Sequence, residues 1–237
     1  MNDQKISSDT INSEEETLKN LKHKIAQEVM TDTEFNKLLS DRVKQTKTFA
    51  DRKVEGIIPE VFIVGGTKKE RKVSVLLIPE LPEGEAKRDA MHLLGEKLVE
   101  NDIQPVAIFM TSEAWMKKCS SLEEFDKSRS VSSYADKQEI AIVAGLTIDG
   151  RTNMAFMEMK RDKDKKIVAL ENEKVEKYKK GKDGSQANLL ESVYRGYAYA
   201  YVKKNNPTLF ESVMGKHDKT NAPTGLYRID SVEDVKN

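Results

Sequence analysis

Residues 139–148 (EIAIVAGLTI), the dipeptide Asp149-Gly150 and residues 154–160 (MAFMEMK) decide how this chain folds. Runs of apolar and β-branched residues favour strands, and an Asp-Gly pair between two such runs is a strong signal for a tight hairpin turn. A third run, residues 166–170 (KIVAL), follows after a short charged turn. Together the three runs predict an antiparallel meander at the centre of one sheet.

Further strands are predicted upstream of this meander. Residues 106–110 (VAIFM) form a continuous apolar run, which is typical of a strand buried on both faces. Residues 60–64 and 73–78 are joined by a loop that begins with Gly65-Gly66, and this pattern predicts a β-hairpin. The loop lacks the spacing of a phosphate-binding loop, so we interpret it as a plain turn. Trp115, the only tryptophan, is expected to close one edge of the core.

Helices are predicted before, between and after these strands. Ser13 begins one amphipathic helix, and Thr31 with Glu34 has the spacing of a helix cap that begins a second, so the two predict an N-terminal helical hairpin. Residues 83–101 and 185–205 predict two more helices. The last of these carries a Leu/Tyr stripe at helical spacing, made of Leu190, Tyr194, Tyr197 and Tyr201. The apolar stripes either pack on the sheet or bind a partner protein.

The predicted fold class is therefore α+β: a mainly antiparallel sheet with helices packed on one face, preceded by the N-terminal helical hairpin. We expect the hairpin to occupy residues 1–50 and the α+β core domain residues 51–215. Residues 216–237 are expected to form an irregular C-terminal tail.

Composition narrows the class of protein. The 40 basic and 40 acidic side chains cancel, so no global charge attracts nucleic acid or an anionic membrane. The single cysteine, Cys119, cannot form an internal disulfide, which fits a reducing compartment. No apolar run reaches the length of a membrane helix, and the first residues contain no signal-peptide core. These features predict a soluble cytoplasmic protein that does not enter a membrane.

One part of the chain resembles a group of small uncharacterised prokaryotic proteins. The resemblance rests on Ser112-Glu113-Ala114-Trp115, on the strand that ends at Gly145, and on Asp149-Gly150-Arg151. It covers about residues 104–170. Because no function is established for that group, the resemblance implies a shared sheet core and no particular activity.

A second pattern is similar to the metal-dependent nucleases of PD-(D/E)xK type. Asp149 is followed by Glu158 and Lys160, which project to one face of the same predicted strand. In such an enzyme, Asp149 and Glu158 would hold Mg²⁺ while Lys160 positioned the attacking water, and nucleic acid would be the substrate. The sequence departs from the pattern because Ile148 stands where the proline is expected, and Asp149 is also explained by its hairpin turn.

Glu113 is the remaining catalytic candidate. A carboxylate beside an aromatic ring such as Trp115 can become a general acid of a sheet-based hydrolase, or it can simply face solvent. His23, His92, His217 and Cys119 show no metal-ligand spacing. We therefore expect a non-enzymatic accessory protein, phage- or mobile-element-related, that binds a partner or itself through helical or tyrosine-rich faces. The sequence leaves open whether it is an enzyme, and the nuclease is the alternative.

Overall fold

The computed structural model describes residues 29–80, 82, 85–117, 131–178, 185–208 and 210. The first predicted helix, most of the loop over residues 117–137 and the predicted C-terminal tail lie outside the described residues. Within the described ranges, no helix is long and apolar enough to cross a membrane.

The centre of the fold is one antiparallel sheet of six strands in the order β2-β1-β3-β4-β5-β6. The strands are β1 (Glu60–Gly66), β2 (Arg71–Leu77), β3 (Pro105–Met116), β4 (Gln138–Thr147), β5 (Thr152–Arg161) and β6 (Ile167–Tyr178). The predicted meander is confirmed as β4, β5 and β6, and the predicted upstream hairpin as β1 and β2. The α+β fold class is therefore confirmed.

Both predicted hairpin turns are present. Gly150 has a φ of +86°, which the Asp-Gly turn between β4 and β5 requires. Gly66 has a φ of +78° at the end of β1, and Thr67 and Glu70 exchange two backbone hydrogen bonds of 3.1 and 3.2 Å across the loop. The loop after Gly65-Gly66 is thus a plain turn that leads into a strand.

Helix α1 (Asp32–Asp51) covers one face of the sheet. Its first turn is capped as predicted, since the Thr31 hydroxyl accepts a 3.2 Å hydrogen bond from the backbone N–H of Glu34. Phe35 is buried and lies 5.3 Å from Phe109 of β3, ring centre to ring centre. The second helix of the predicted N-terminal hairpin therefore packs on the sheet.

Helices α2 (Glu85–Glu100) and α3 (Ser185–Asn205) cover the opposite face together. Met91, Leu190 and Val193 are buried there against alternate residues of β1, β3 and β4. Tyr194 and Tyr197 of the Leu/Tyr stripe pack against the same core, and the Tyr194 hydroxyl donates a 3.3 Å hydrogen bond to the Leu146 carbonyl. The inner part of that stripe contributes to the core.

Burial of these phenols predicts a loss of stability at alkaline pH. Burial raises the pKa of Tyr194 and of Tyr197, and burial with the Glu176 hydrogen bond raises the pKa of Tyr178 to about 12. An unfolded tyrosine ionises near pH 10, so above that pH the unfolded state holds fewer protons than the folded state. The stabilisation is present below pH 10 and is lost as the pH rises toward 12.

Urea midpoints measured at pH 9, 10, 11 and 11.5 test this expectation, with absorbance at 295 nm reporting phenol ionisation. The midpoint should fall steadily above pH 10, and Tyr178→Phe should make the fall shallower. A constant midpoint with phenols that ionise near pH 10 in the folded protein would contradict the burial of these side chains.

Candidate functional site

Asp149 lies in the tight turn between β4 and β5. Its carboxylate accepts a 2.9 Å hydrogen bond from Nε of Arg151. The same guanidinium reaches Asp32 and the Met30 carbonyl, so it holds the start of helix α1 against the turn. Asp149 therefore helps to hold Arg151 in place, and Arg151 anchors the start of α1 to the turn.

Glu158 and Lys160 lie near the other end of β5. Glu158 pairs with Ile140 of β4, accepts a 2.9 Å hydrogen bond from Asn172 of β6, and lies 3.8 Å from the Lys160 ammonium group. The structure thus brings the Glu-x-Lys pair together on one face of the strand, as its spacing predicted.

The structure does not bring Asp149 to that pair. The β4–β5 pairing begins at Leu146 opposite Thr152, and Glu158 lies six residues further along β5. At about 3.3 Å per residue, the two carboxylates are about 20 Å apart, whereas one Mg²⁺ needs its ligands about 2.1 Å away. Among the described residues, no three His, Cys, Asp or Glu side chains come together in a way that could hold a metal ion.

Glu113 lies at the same end of the sheet, on the face that α1 covers. Its carboxylate accepts a 2.6 Å hydrogen bond from the backbone N–H of Ile57 and a 3.1 Å hydrogen bond from Arg161. Arg161 also donates to Glu139 at 2.7 Å and to the carbonyls of Glu55 and Lys165. Glu113 therefore acts as an acceptor that ties the segment after α1 to β3 and β5, a role that its sequence context did not indicate.

Trp115 does not close the core edge, so that prediction is wrong. Strand β3 continues to Met116, and Trp115 is 42% exposed near its end, with the Lys137 ammonium group 4.6 Å from the ring centre. Glu139, Glu158 and Lys160 join it around a shallow cleft of about 400 Å³. Three of the charged groups that line the cleft already form ion pairs: Glu158 with Lys160, and Glu139 with Arg161.

Strand β2 presents the most exposed apolar surface of the described strands. Val73, Val75, Leu76 and Leu77 are between 43% and 57% exposed within a strand of seven residues. Val73, Val75 and Leu77 lie on the α1 face and Leu76 on the opposite face, and α1 packs mainly on β3 to β6. Arg71 fixes the start of the strand through a 2.9 Å ion pair with Glu34 of α1.

The backbone of β2 is also open on one side. Thr67 with Glu70, and Ile78 with the Pro59 carbonyl, mark the hydrogen-bonded positions of the β1–β2 ladder. Because these positions alternate, residues 72, 74 and 76 bond to β1, and residues 71, 73, 75 and 77 direct their N–H and C=O groups away from it. In the described part of the chain no strand pairs with that side, since β2 ends the sheet.

The opposite edge of the sheet is protected. Strand β6 exposes two valines, Val168 and Val175, but it also exposes the charged residues Glu171, Glu173, Lys174 and Lys177. Its pairing with β5 is interrupted between Phe156 and Glu158. Charges and irregularities of this kind discourage another strand from pairing with an edge. The contrast identifies β2 as the edge at which a further strand can add.

In the described residues, fold and surface together define an α+β protein whose sheet has an open apolar edge at β2. Searches against protein-family models, curated proteins and solved structures found no match to this chain. Residues 104–170 contain β3, β4, β5 and the first part of β6.

Proposed function

We propose that this chain is a protein-binding module whose strand β2 accepts an extended strand from a protein partner. The observation that supports it is the unprotected edge, where outward-facing backbone groups and apolar side chains occur in the same residues. Addition of a strand to an open edge is a common mode of recognition, in which backbone hydrogen bonds give affinity and alternate side chains give specificity.

The chemistry of β2 restricts what its partner can be. Val73, Val75 and Leu77 share one face with Phe62 and Val64 of the neighbouring strand, so the partner strand should carry apolar residues at alternate positions. Basic residues surround the start of β2, and Glu80 follows its end. A partner strand that lies antiparallel to β2, with a basic amino end and an acidic carboxyl end, would place opposite charges beside both ends of β2. The single cysteine, Cys119, supports a cytoplasmic location for this binding.

Selection of displayed random ten-residue peptides on the purified chain tests this function. We expect enriched peptides with alternating apolar residues, whose affinity falls at least tenfold with Val75→Lys, because a lysine placed there puts a charge in the new sheet face. Val168→Lys is the matched control, since Val168 is a similarly exposed valine, at 41%, on the protected edge.

Amide exchange followed by NMR gives a second readout of the same proposal. In the monomeric chain, kept dilute enough that copies do not associate, the amides of residues 73, 75 and 77 should exchange faster than those of residues 72, 74 and 76, because only the second set bonds to β1. A selected peptide should slow exchange in the first set. Selected peptides that lack alternation, bind Val75→Lys equally well and leave this pattern unchanged would contradict the proposal.

A further inference from the structure

We infer that the strand accepted by β2 is the β2 strand of a second copy of this chain, in an antiparallel arrangement about a twofold axis at Ser74. This inference rests on the proposed function and names its partner. It follows from three properties of β2: the spacing of its outward-facing backbone groups, the order of its side chains, and the charges at its two ends.

The first property is the spacing of backbone groups. With Ser74 on the axis, Val73 lies opposite Val75 of the second copy and Arg71 lies opposite Leu77. All four residues direct their N–H and C=O groups outward, so each pair can exchange two hydrogen bonds. The complete overlap of seven residues would form about eight such bonds, two for each of four paired positions.

The second property is the order of side chains. Residues directly opposite each other in an antiparallel pair lie on the same face of the sheet. The two Val73–Val75 pairs therefore lie side by side on the α1 face, next to Phe62 of each copy. These contacts remove from water the valines that are 50% and 52% exposed in the single chain.

The third property is charge. Lys68 and Lys69 form the hairpin turn, and Glu80 lies beyond the end of the strand. The register centred on Ser74 brings this basic turn near Glu80 of the second copy, and the symmetry repeats the approach at the other end. A parallel arrangement would instead place the basic ends together, so charge favours the antiparallel pair. Two sheets of six strands thus become one continuous sheet with both α1 helices on the same face.

Sedimentation equilibrium of the full chain from 1 µM to 1 mM tests for the dimer. A single strand pair makes a small interface, so we expect a dissociation constant on the order of 10 µM. Val75→Lys should weaken the dimer at least tenfold, and the control Val168→Lys should leave it unchanged. Lys68→Glu and Glu80→Lys should each weaken it by roughly threefold at low salt, and the combined variant should restore it because the charges are exchanged.

A cross-linking experiment tests the register. Residues at the axis form a non-hydrogen-bonded pair with Cα atoms about 4.5 Å apart, a distance that a disulfide can span. In a Cys119→Ser background, Ser74→Cys should give covalent dimers under mild oxidation, whereas Val168→Cys should not. A covalent dimer formed by Val168→Cys as readily as by Ser74→Cys would overturn the inference.

The results separate a failure of the dimer inference from a failure of the proposed function. A chain that stays monomeric to 1 mM, but binds selected peptides through β2, overturns the second copy as partner and leaves the proposed function intact. A monomer that binds no strand through β2 overturns both. A dimer insensitive to Val75→Lys overturns the inference and leaves the function to be decided by the peptide selection.

Discussion

Replacing Gly196 by alanine is expected to lower the free energy of unfolding by about 3 kcal/mol, as overpacking against a rigid neighbour does. Helices α2 and α3 cross at this residue with their backbones in contact. A Cβ atom on Gly196 would lie 2.7 Å from the carbonyl carbon of His92, and closer still to its oxygen. The neighbour is backbone, so relief requires the two helices to separate.

The crossing is tight from both sides. A Cβ atom on Gly95 of α2 would lie 2.5 Å from the backbone nitrogen of Tyr197 and 2.9 Å from the carbonyl carbon of Val193. Separation of the helices would loosen Met91, Leu190 and Val193, which they bury together against the sheet. The loss is expected although alanine is the better helix former by about 1 kcal/mol.

Urea unfolding of Gly196→Ala, Gly95→Ala and Gly56→Ala provides the comparison. Gly56 is the control, since a Cβ atom there meets only Oε1 of Glu113 at 3.4 Å, an ordinary contact. The two helical variants should unfold at clearly lower urea and the control close to the wild type. Equal midpoints for all three variants would show that the helices do not cross so closely.

Replacing Glu60 by leucine is expected to cost about 3–5 kcal/mol, because it leaves the guanidinium of Arg42 buried without its counter-charge. The ion pair joins α1 to β1, and its side chains are only 7% and 12% exposed. Arg42 also lies over the Phe62 ring, 4.8 Å from its centre, and donates a 2.5 Å hydrogen bond to Gln45. Burial lowers the pKa of Arg42, yet the group remains charged at neutral pH.

A double replacement isolates the cause of this loss. Arg42→Met combined with Glu60→Leu removes both charges and should recover most of the stability, since an apolar pair of similar size often replaces a buried ion pair at little cost. Glu100→Ala breaks the exposed ion pair with Lys97 and should change stability by less than about 1 kcal/mol. A Glu60→Leu loss as small as that of Glu100→Ala would mean that water reaches Arg42.

The sequence identified several charged residues of the cluster around Glu113 and Glu158, but it did not indicate which interactions they make. Glu113, Glu158 and Lys160 are brought to one end of the sheet, and the spacing of Glu158 and Lys160 correctly placed them on one face. Arg161, which binds Glu113, Glu139 and two carbonyls, was not singled out because its partners come from four separate segments. The apolar residues of β2 predicted a strand, but no residue near them in the sequence indicates that this strand lies at the edge of the sheet.

Local patterns determined the elements of this protein by themselves. Alternation and β-branching specified where the strands lie, Asp149-Gly150 specified one turn, and Thr31 with Glu34 specified the start of α1, because each depends on interactions among residues close in the chain. The polar second halves of β3 and β6, which continue to Met116 and Tyr178, were not predicted as strand. Strand order, the close crossing at Gly196 and the exposed outer side of β2 depend on which distant segments meet. Only the tertiary structure decided those features, because the contacts that stabilise them join residues that are far apart in the sequence.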